Sequence, residues 1–414
     1  MIFRSKASSV TVVRILYLYP EEWTGRRARE AHTLSTCRAL AEAGAKVTLV
    51  HAGGLSQQQA GQGVTSVAIS RRFGPLKSAW FFQRRLTPWL AAQQRGTESF
   101  DLAYIIHLKA GAMLNSGAGA SALPYVYEAH EIFAETPAAG TRQETELHTL
   151  ERQVLAGARG RVATSSALAS ALNARYFPGV DAELPFDIIP HGGGEPLPQS
   201  TAKTDGPYVY AGSLGDWKGL DIAMEALLSI RSAQSPRLRV IGGDESEWTR
   251  LRDAVLSRLA ATERAAAAER LEWHARTPVE NLPGLLAGAC AGLIPTLPET
   301  GTGRYSCPMK LYDYARCGLP VVATALPSLD SLGLDTAKSN GSAAPALWCR
   351  RVEAPTVQAW RDALAEPPPM SDATLAWAGR NTWAERGRRL LSVLRRHASA
   401  ASQPISPTPV SGKR

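Results

Sequence analysis

The chain has 414 residues, 44% apolar and 20% charged, which excludes an intrinsically disordered protein and, at roughly 100–200 residues per domain, points to two domains. Its formal charge of +9 favours anionic partners: nucleotide phosphates, nucleic acid or an anionic membrane surface. The five cysteines (Cys37, Cys290, Cys307, Cys317 and Cys349) are odd in number and form no C-x-x-C pair, which argues against a disulfide framework or a structural zinc site and for a reducing, cytoplasmic compartment.

No run of about 18 apolar residues is present, so no transmembrane helix is predicted. The segment Met1 to Val10 has Arg4 and Lys6 but no long apolar stretch and does not read as a signal peptide. Val12 to Tyr19 is predicted as a buried first strand, followed by a turn-rich loop from Pro20 to Arg26. Ala28 to Ala43 has helical apolar spacing and stops at Gly44, and Lys46 to His51 is a second strand. This β-loop-α-β rhythm builds parallel sheets. It continues with strands at 101–106, 125–128, 162–164 and 187–190 and a helix at 147–156. The stretch 71–90 mixes Arg71, Arg72, Lys77, Arg84 and Arg85 with Phe73, Trp80, Phe81, Phe82 and Trp89. That pattern suits an amphipathic segment lying on an anionic membrane, or a core-packed helix with a solvated basic face.

From Glu195 to Gly206 the composition is that of a linker. The same rhythm then restarts: strands at 208–211, 237–241, 271–274, 292–295 and 320–323, with helices at 220–230, 279–289 and 308–317. The expected organisation is therefore an N-terminal domain over 1–195, a linker over 196–206 and a second domain over 207–372. A helix over 373–397 and a disordered tail over 398–414 complete it. The fold class is α/β, two Rossmann-like domains facing a central cleft. In open parallel sheets ligands sit beyond the carboxyl ends of the strands, so function is expected in the loops that follow strands.

Two such loops carry the chemistry. Arg304 to Thr324 reads as a helix beginning near Pro308, with Ser306 or Cys307 near its cap, ended by Gly318 and followed by a buried strand. Free amides at that helix start suit a diphosphate, and Lys310 adds a point charge. Asp313, three residues on, shares a face with Lys310 and suits both hydroxyls of a ribose. Tyr210 to Leu220 is a strand, a glycine loop through Gly212 and Ser213, and Lys218-Gly219 at a helix start. There Lys218 is placed to neutralise a leaving phosphate.

Together these residues resemble glycosyltransferase family 4, retaining enzymes of the GT-B fold. Lys218-Gly219 matches the family's Lys-Gly, and Ser306 to Tyr314 is close to its Ser-Pro-x-Lys-Leu-x-Glu-Tyr variant. Ala315 to Val322 fits its Ala-x-Gly-x-Pro-Val-Val stretch with one residue more between Ala and Gly. Three positions depart from the pattern. Asp313 stands for the second Glu of the family's Glu-x7-Glu, Tyr305 for the first, and Ser213 for an Arg before Lys-Gly. Glu299 is a nearby carboxylate that could substitute for the first Glu, a substitution the sequence does not decide.

The resemblance implies Lys218, Lys310 and His130 as catalytic residues, His130 through its match to a Glu-x-His segment. It implies Gly25, Gly212, Ser213, Arg276, Tyr305, Ser306, Cys307, Met309 and Asp313 around the donor. It further implies a nucleoside-diphosphate-sugar donor, a carbohydrate or lipid-linked hydroxyl acceptor in the N-terminal domain, no metal or other cofactor, and no nucleic-acid partner. The final Trp383-containing helix would cross back to the N-terminal domain. The remaining alternatives are an epimerase on the same fold and a non-catalytic sugar-nucleotide-binding subunit.

Overall fold

The computed structural model describes residues 12–25, 27–116, 123–178, 184–231, 235–299, 301–334 and 348–399. Most of the tail expected from 398 onward, and Arg26 of the basic cluster beside Gly25, lie outside the described residues.

The N-terminal half contains β1 (Arg14–Tyr19), β2 (Lys46–His51), β3 (Val64–Ala68), β4 (Arg72–Phe73), β5 (Leu76–Lys77), β6 (Leu102–Ile105), β7 (Tyr125–Ala129), β8 (Gly160–Ala163) and β9 (Asp187–Ile188). Seven of these form one sheet in the order β3-β2-β1-β6-β7-β8-β9, with every pairing parallel. The C-terminal half contains β10 (Tyr208–Ala211), β11 (Leu238–Ile241), β12 (Leu271–His274), β13 (Ala291–Ile294), β14 (Val321–Thr324) and β15 (Cys349–Val352). They form a second parallel sheet in the order β12-β11-β10-β13-β14-β15. Parallel strands are covered by helices on both faces, which is why they read as unbroken apolar runs. Ile15 to Tyr19 of β1, for instance, are all fully buried. Two doubly wound sheets of this kind constitute the GT-B architecture.

The segment 71–90 divides into two elements rather than one. Gly74, at φ +57°, turns the chain between antiparallel β4 and β5, and a helix then runs from Ala79 to Arg95. Phe82, Leu86 and Leu90 of that helix are buried in the core, whereas Phe73, Leu76 and Trp80 stay exposed.

The chain crosses between the halves twice, side by side. Gly193 pairs with Thr382 in an isolated bridge, and the Trp383 amide donates to the Gly193 carbonyl at 2.8 Å. The segment 195–206 lies against the second domain: the amides of Leu197, Thr201 and Lys203 donate to the carbonyls of Arg316, Cys317 and Ala289. The helix Trp383–Ser399 then packs on the helix Ala28–Glu42. A Cβ at Gly387 would lie 2.4 Å from the Ala39 carbonyl oxygen, so the two backbones meet there and a side chain would part them. Leu390, Leu391 and Leu394 complete the core around Ile15, Tyr17 and Leu49.

Candidate donor site

The loops at the carboxyl ends of β10, β11 and β13 converge. Gly212 follows β10 at φ +152°, and its amide donates to the Ile241 carbonyl of β11 at 2.9 Å. A Cβ at Gly242 would lie 2.0 Å from the Gly212 carbonyl oxygen, so both positions need glycine for the backbones to approach. A short 3-10 turn over Asp216–Lys218 ends at Gly219, which is left-handed at φ +62°. A Cβ at Gly219 would fall 2.1 Å from the Pro295 carbonyl oxygen beyond β13. The Leu297 amide donates to the Trp217 carbonyl at 3.0 Å, pinning the same loop.

Two lysines enter this cradle from different elements. The Lys310 ammonium, from the helix Met309–Arg316, lies 3.5 Å from the centre of the Tyr210 ring and within 3.1 Å of where a Gly212 Cβ would be. The Tyr210 hydroxyl is turned away, donating to the Ser213 carbonyl at 2.6 Å. The Lys218 ammonium lies 3.4 Å from the centre of the Trp217 ring. Neither ammonium has a carboxylate within 4.0 Å among the described residues, and Lys310 Nζ is buried with no hydrogen-bond partner. Burial lowers the Lys218 pKa to about 8. Burial, reinforced by the nearby Lys218 charge, holds Lys310 well below the ordinary lysine range. Cation–π contact offsets only part of such a desolvation cost. The arrangement is therefore a cationic pocket short of an anion.

Pro308 occupies the cap position of the Lys310 helix, so the helix begins one residue later than the sequence suggests, and no side chain caps the first turn. Met309 opens the helix. Asp313 is half-buried, and burial raises its carboxyl to about 6 against a smaller opposing pull from Arg316. Ser306 offers its carbonyl to the Ser328 hydroxyl at 2.5 Å, and the Cys307 thiol lies 3.6 Å from the Tyr312 hydroxyl. Both residues thus brace the loop before the helix. Tyr305 packs against the core of the N-terminal domain and so joins the two halves. Glu299 is exposed in the loop beyond β13. The Ser213 side chain is exposed at the cradle's rim. Arg276 follows β12; its amide donates to the Gly243 carbonyl at 3.2 Å, and its charge acts on Asp244.

On the N-terminal side, Gly25 adopts φ +70° with open space where a Cβ would stand. The loop is shaped by buried Glu30, whose carboxylate accepts from the Thr24 and Arg27 amides at 2.8 and 3.2 Å. His130 sits in a group within the N-terminal domain. Its Nε2 lies 2.9 Å from the Glu128 carboxylate, in a buried group with His32 and His191. His191 in turn faces Tyr312, next to Cys307, so this group abuts the helix that carries Lys310.

Sequence reasoning missed Glu30, Tyr314 and Arg386. Tyr314 accepts from the Ala211 amide at 2.8 Å and donates to the Leu293 carbonyl at 3.3 Å, tying β10 to β13 under the cradle. Its ring occupies the space a Cβ at Gly292 would need. Arg386 donates to Glu128, to Thr36 and to the Pro190 carbonyl. Glu30 had a visible signal, a carboxylate in the first turn of a helix; the other two had none.

Two parallel-sheet domains, with a glycine-lined cationic cradle at the strand ends of the second, define a protein of the GT-B fold. The comparisons name the family. Residues 207–345 match the model described as "Glycosyl transferases group 1", and residues 29–184 match a "Glycosyl transferase 4-like domain". The chain belongs to the group 1 glycosyltransferases. Its fold is similar to that of the lipopolysaccharide outer core galactosyltransferase WaaB, at 12% identity and TM-score 0.60, over 94% of this chain and 100% of that one. It is likewise similar to Anabaena HepE solved with UDP and glucose, at 15% identity and TM-score 0.63, over 92% and 99%. Sucrose-phosphate synthase from Thermosynechococcus elongatus matches at 15% and 0.60, over 94% and 97%. No match to a curated protein was found. Among the described residues, no helix is long and apolar enough to cross a membrane.

Proposed function

We propose that this glycosyltransferase moves a hexosyl unit from a nucleoside-diphosphate sugar to a hydroxyl acceptor with retention of anomeric configuration. The observation that carries the reading is the convergence of Lys218 and Lys310, neither with a carboxylate partner among the described residues, on the Gly212 loop. A diphosphate is the anion of matching charge, with the first turn beginning at Met309 adding its dipole. Asp313, on the helix that carries Lys310, serves the ribose hydroxyls.

In the reaction the acceptor hydroxyl attacks the anomeric carbon as the bond to the phosphate oxygen breaks. The electron pair goes to the diphosphate, and the acceptor proton passes to the leaving phosphate oxygen. The charge that grows on that oxygen meets Lys218 and Lys310, so the stabilisation is greatest in the transition state. No metal is needed at the diphosphate, because the two lysines supply the charge. Gly25 is the residue offered from the facing domain, where the acceptor binds; His130, whose Nε2 turns to Glu128, is given no step. A lipid-linked acceptor of cell-surface polysaccharide or glycolipid synthesis fits the exposed aromatic and basic surface around Trp80, which would rest on the cytoplasmic face of a membrane.

Thermal shift against UDP, GDP and ADP, followed by hydrolysis assays with their sugars, tests the reading. One nucleoside diphosphate should raise the midpoint, and its sugar should be slowly hydrolysed. If all three leave both readouts flat, the proposal fails.

A further inference from the structure

His32, Glu128, His130 and His191 come from four separate places: the first helix, the end of β7, the loop just after it, and the segment leading into the first crossing. Their potential ligand atoms all lie within 4.8 Å of one another, and His32, Glu128 and His191 are buried. Buried polar atoms are normally hydrogen-bonded. Here His32 Nδ1 and Nε2, His130 Nε2 and His191 Nδ1 have no hydrogen-bond partner. Two of these nitrogens crowd one carboxylate oxygen: His32 Nε2 is 3.5 Å and His130 Nε2 2.9 Å from Glu128 Oε1, the latter without a hydrogen-bonding angle. Three imidazoles with unpartnered ring nitrogens, gathered around one buried carboxylate, form a ligand set of the right size for a single ion.

We propose that His32, Glu128, His130 and His191 form a structural site for one divalent transition-metal ion of the zinc type. A tetrahedral ion with bonds of about 2.0–2.1 Å separates its ligand atoms by roughly 3.3 Å. The two distances to Glu128 bracket that value, and the remaining contraction is within reach of side-chain rotation. Imidazoles with one carboxylate suit zinc and its neighbours rather than magnesium or calcium, which prefer oxygen.

The outer partners are also in place. Arg386 holds Glu128 Oε1 and Tyr104 holds Oε2, as hydrogen-bonded second partners orient ligating carboxylates elsewhere. Arg386 has a second effect. Its charge balances Glu128, so the ion would meet the electrostatics of a neutral three-imidazole site, a well-attested environment for zinc. Beyond the diphosphate chemistry, such an ion would tie the first helix, β7 and the crossing into one unit. Through Arg386 it would also engage the returning C-terminal helix.

The test uses the full chain, stripped with a strong chelator and titrated with Zn2+ against a chromophoric competitor, then with Co2+ as a spectroscopic probe. The expected result is one equivalent bound per chain, a visible Co2+ spectrum of low-coordinate type, and a rise in thermal midpoint. His32→Gln and His191→Asn, which keep the side-chain size, should lose all three responses. His148→Ala, at a histidine outside the cluster, should keep them. Absence of a bound equivalent in the wild-type chain, or binding that persists in His32→Gln, overturns the proposal.

Discussion

Arg386 in the C-terminal helix donates to the Glu128 carboxylate of β7 at 2.5 Å, joining two residues 258 positions apart in the interior of the N-terminal domain. Burial alone would push the Glu128 carboxyl up, but Arg386, His130 and His32 together hold it well below its ordinary range. Breaking a buried pair by removing one partner leaves an uncompensated charge and costs about 3–5 kcal/mol. Arg386→Met should therefore lower unfolding stability by that order in denaturant titration. The loss should fade in acid. A carboxylate with a depressed folded pKa contributes stability above its unfolded value and loses it as pH falls toward the folded one. A stability change below about 1 kcal/mol near neutrality would show that the pair is not what docks this helix.

Lys218→Ala removes one of two charges met chiefly in the transition state. The expected loss is about 10²–10³ in kcat, roughly 2.7–4 kcal/mol. KM for the donor should move less, because ground-state contacts through Gly212 and Lys310 persist. Steady-state kinetics with the donor found in the thermal screen measures both. A kcat within a factor of about three of wild type would remove Lys218 from the chemistry.

The same lysines give nucleotide binding a pH dependence of definite sign. Burial lowers Lys218 to about 8 in the free enzyme, and a bound diphosphate favours the charged amine, raising it again. Binding should therefore take up protons above pH 8 and weaken as pH rises, toward a tenfold loss per pH unit for each lysine involved. Calorimetry in two buffers of different ionisation enthalpy reads the uptake directly. Proton release on binding would contradict the assignment. For folding the sign is opposite: a depressed lysine costs stability below its folded pKa, and that cost is relieved as pH climbs from about 8 toward the unfolded value.

Asp313 separates the ribose from the diphosphate experimentally. Burial raises its carboxyl to about 6, so at neutral pH it is mostly ionised and able to accept from two hydroxyls. Asp313→Asn should weaken UDP or GDP by about 1.5–3 kcal/mol, the range for hydrogen bonds to a charged group. Inorganic diphosphate, which has no ribose, should bind the variant as it binds wild type. Equal weakening of both ligands would place Asp313 on the phosphates or in the fold instead.

How far the sequence carried this reading depends on how local each signal is. The alternation of apolar strands and helices is local, so most strands of both sheets were legible, though not the edge strands β3 and β15, and so were the glycines that end β10 and start the following helix. The Gly74 turn was legible in principle, because a glycine-proline pair interrupts any helix, yet the aromatic pattern around it masked the hairpin. The histidine group was legible only in its Glu128-x-His130 pair: residues 32 and 191 stand at no regular spacing from it, and only the fold brings them there. Tyr305 is the instructive middle case. Its identity showed that a carboxylate was missing, but only the packing shows that the ring joins the domains.

The surface around Trp80 makes a prediction about membranes that differs from a simple basic-patch reading. Much of its charge is already engaged: Glu22 pairs with Arg72 at 3.0 Å and Lys77 at 2.6 Å, and Arg85 donates to the carbonyls of Ser70 and Arg72. Arg71 and Arg84 are left without carboxylate partners among the described residues, Arg84 lying 5.1 Å over the Trp80 ring. At about 1 kcal/mol per basic residue near an anionic bilayer, charge supplies roughly 2 kcal/mol. The rest must come from burying Phe73, Leu76 and Trp80, which are 65%, 61% and 55% exposed. Binding to anionic vesicles should therefore fall only modestly between low and physiological salt, while Phe73→Ser with Trp80→Ser should abolish it. In a sedimentation assay, failure of the wild-type chain to bind at low salt refutes the membrane face altogether. Binding that survives the double substitution but vanishes with salt would assign the contact to charge alone.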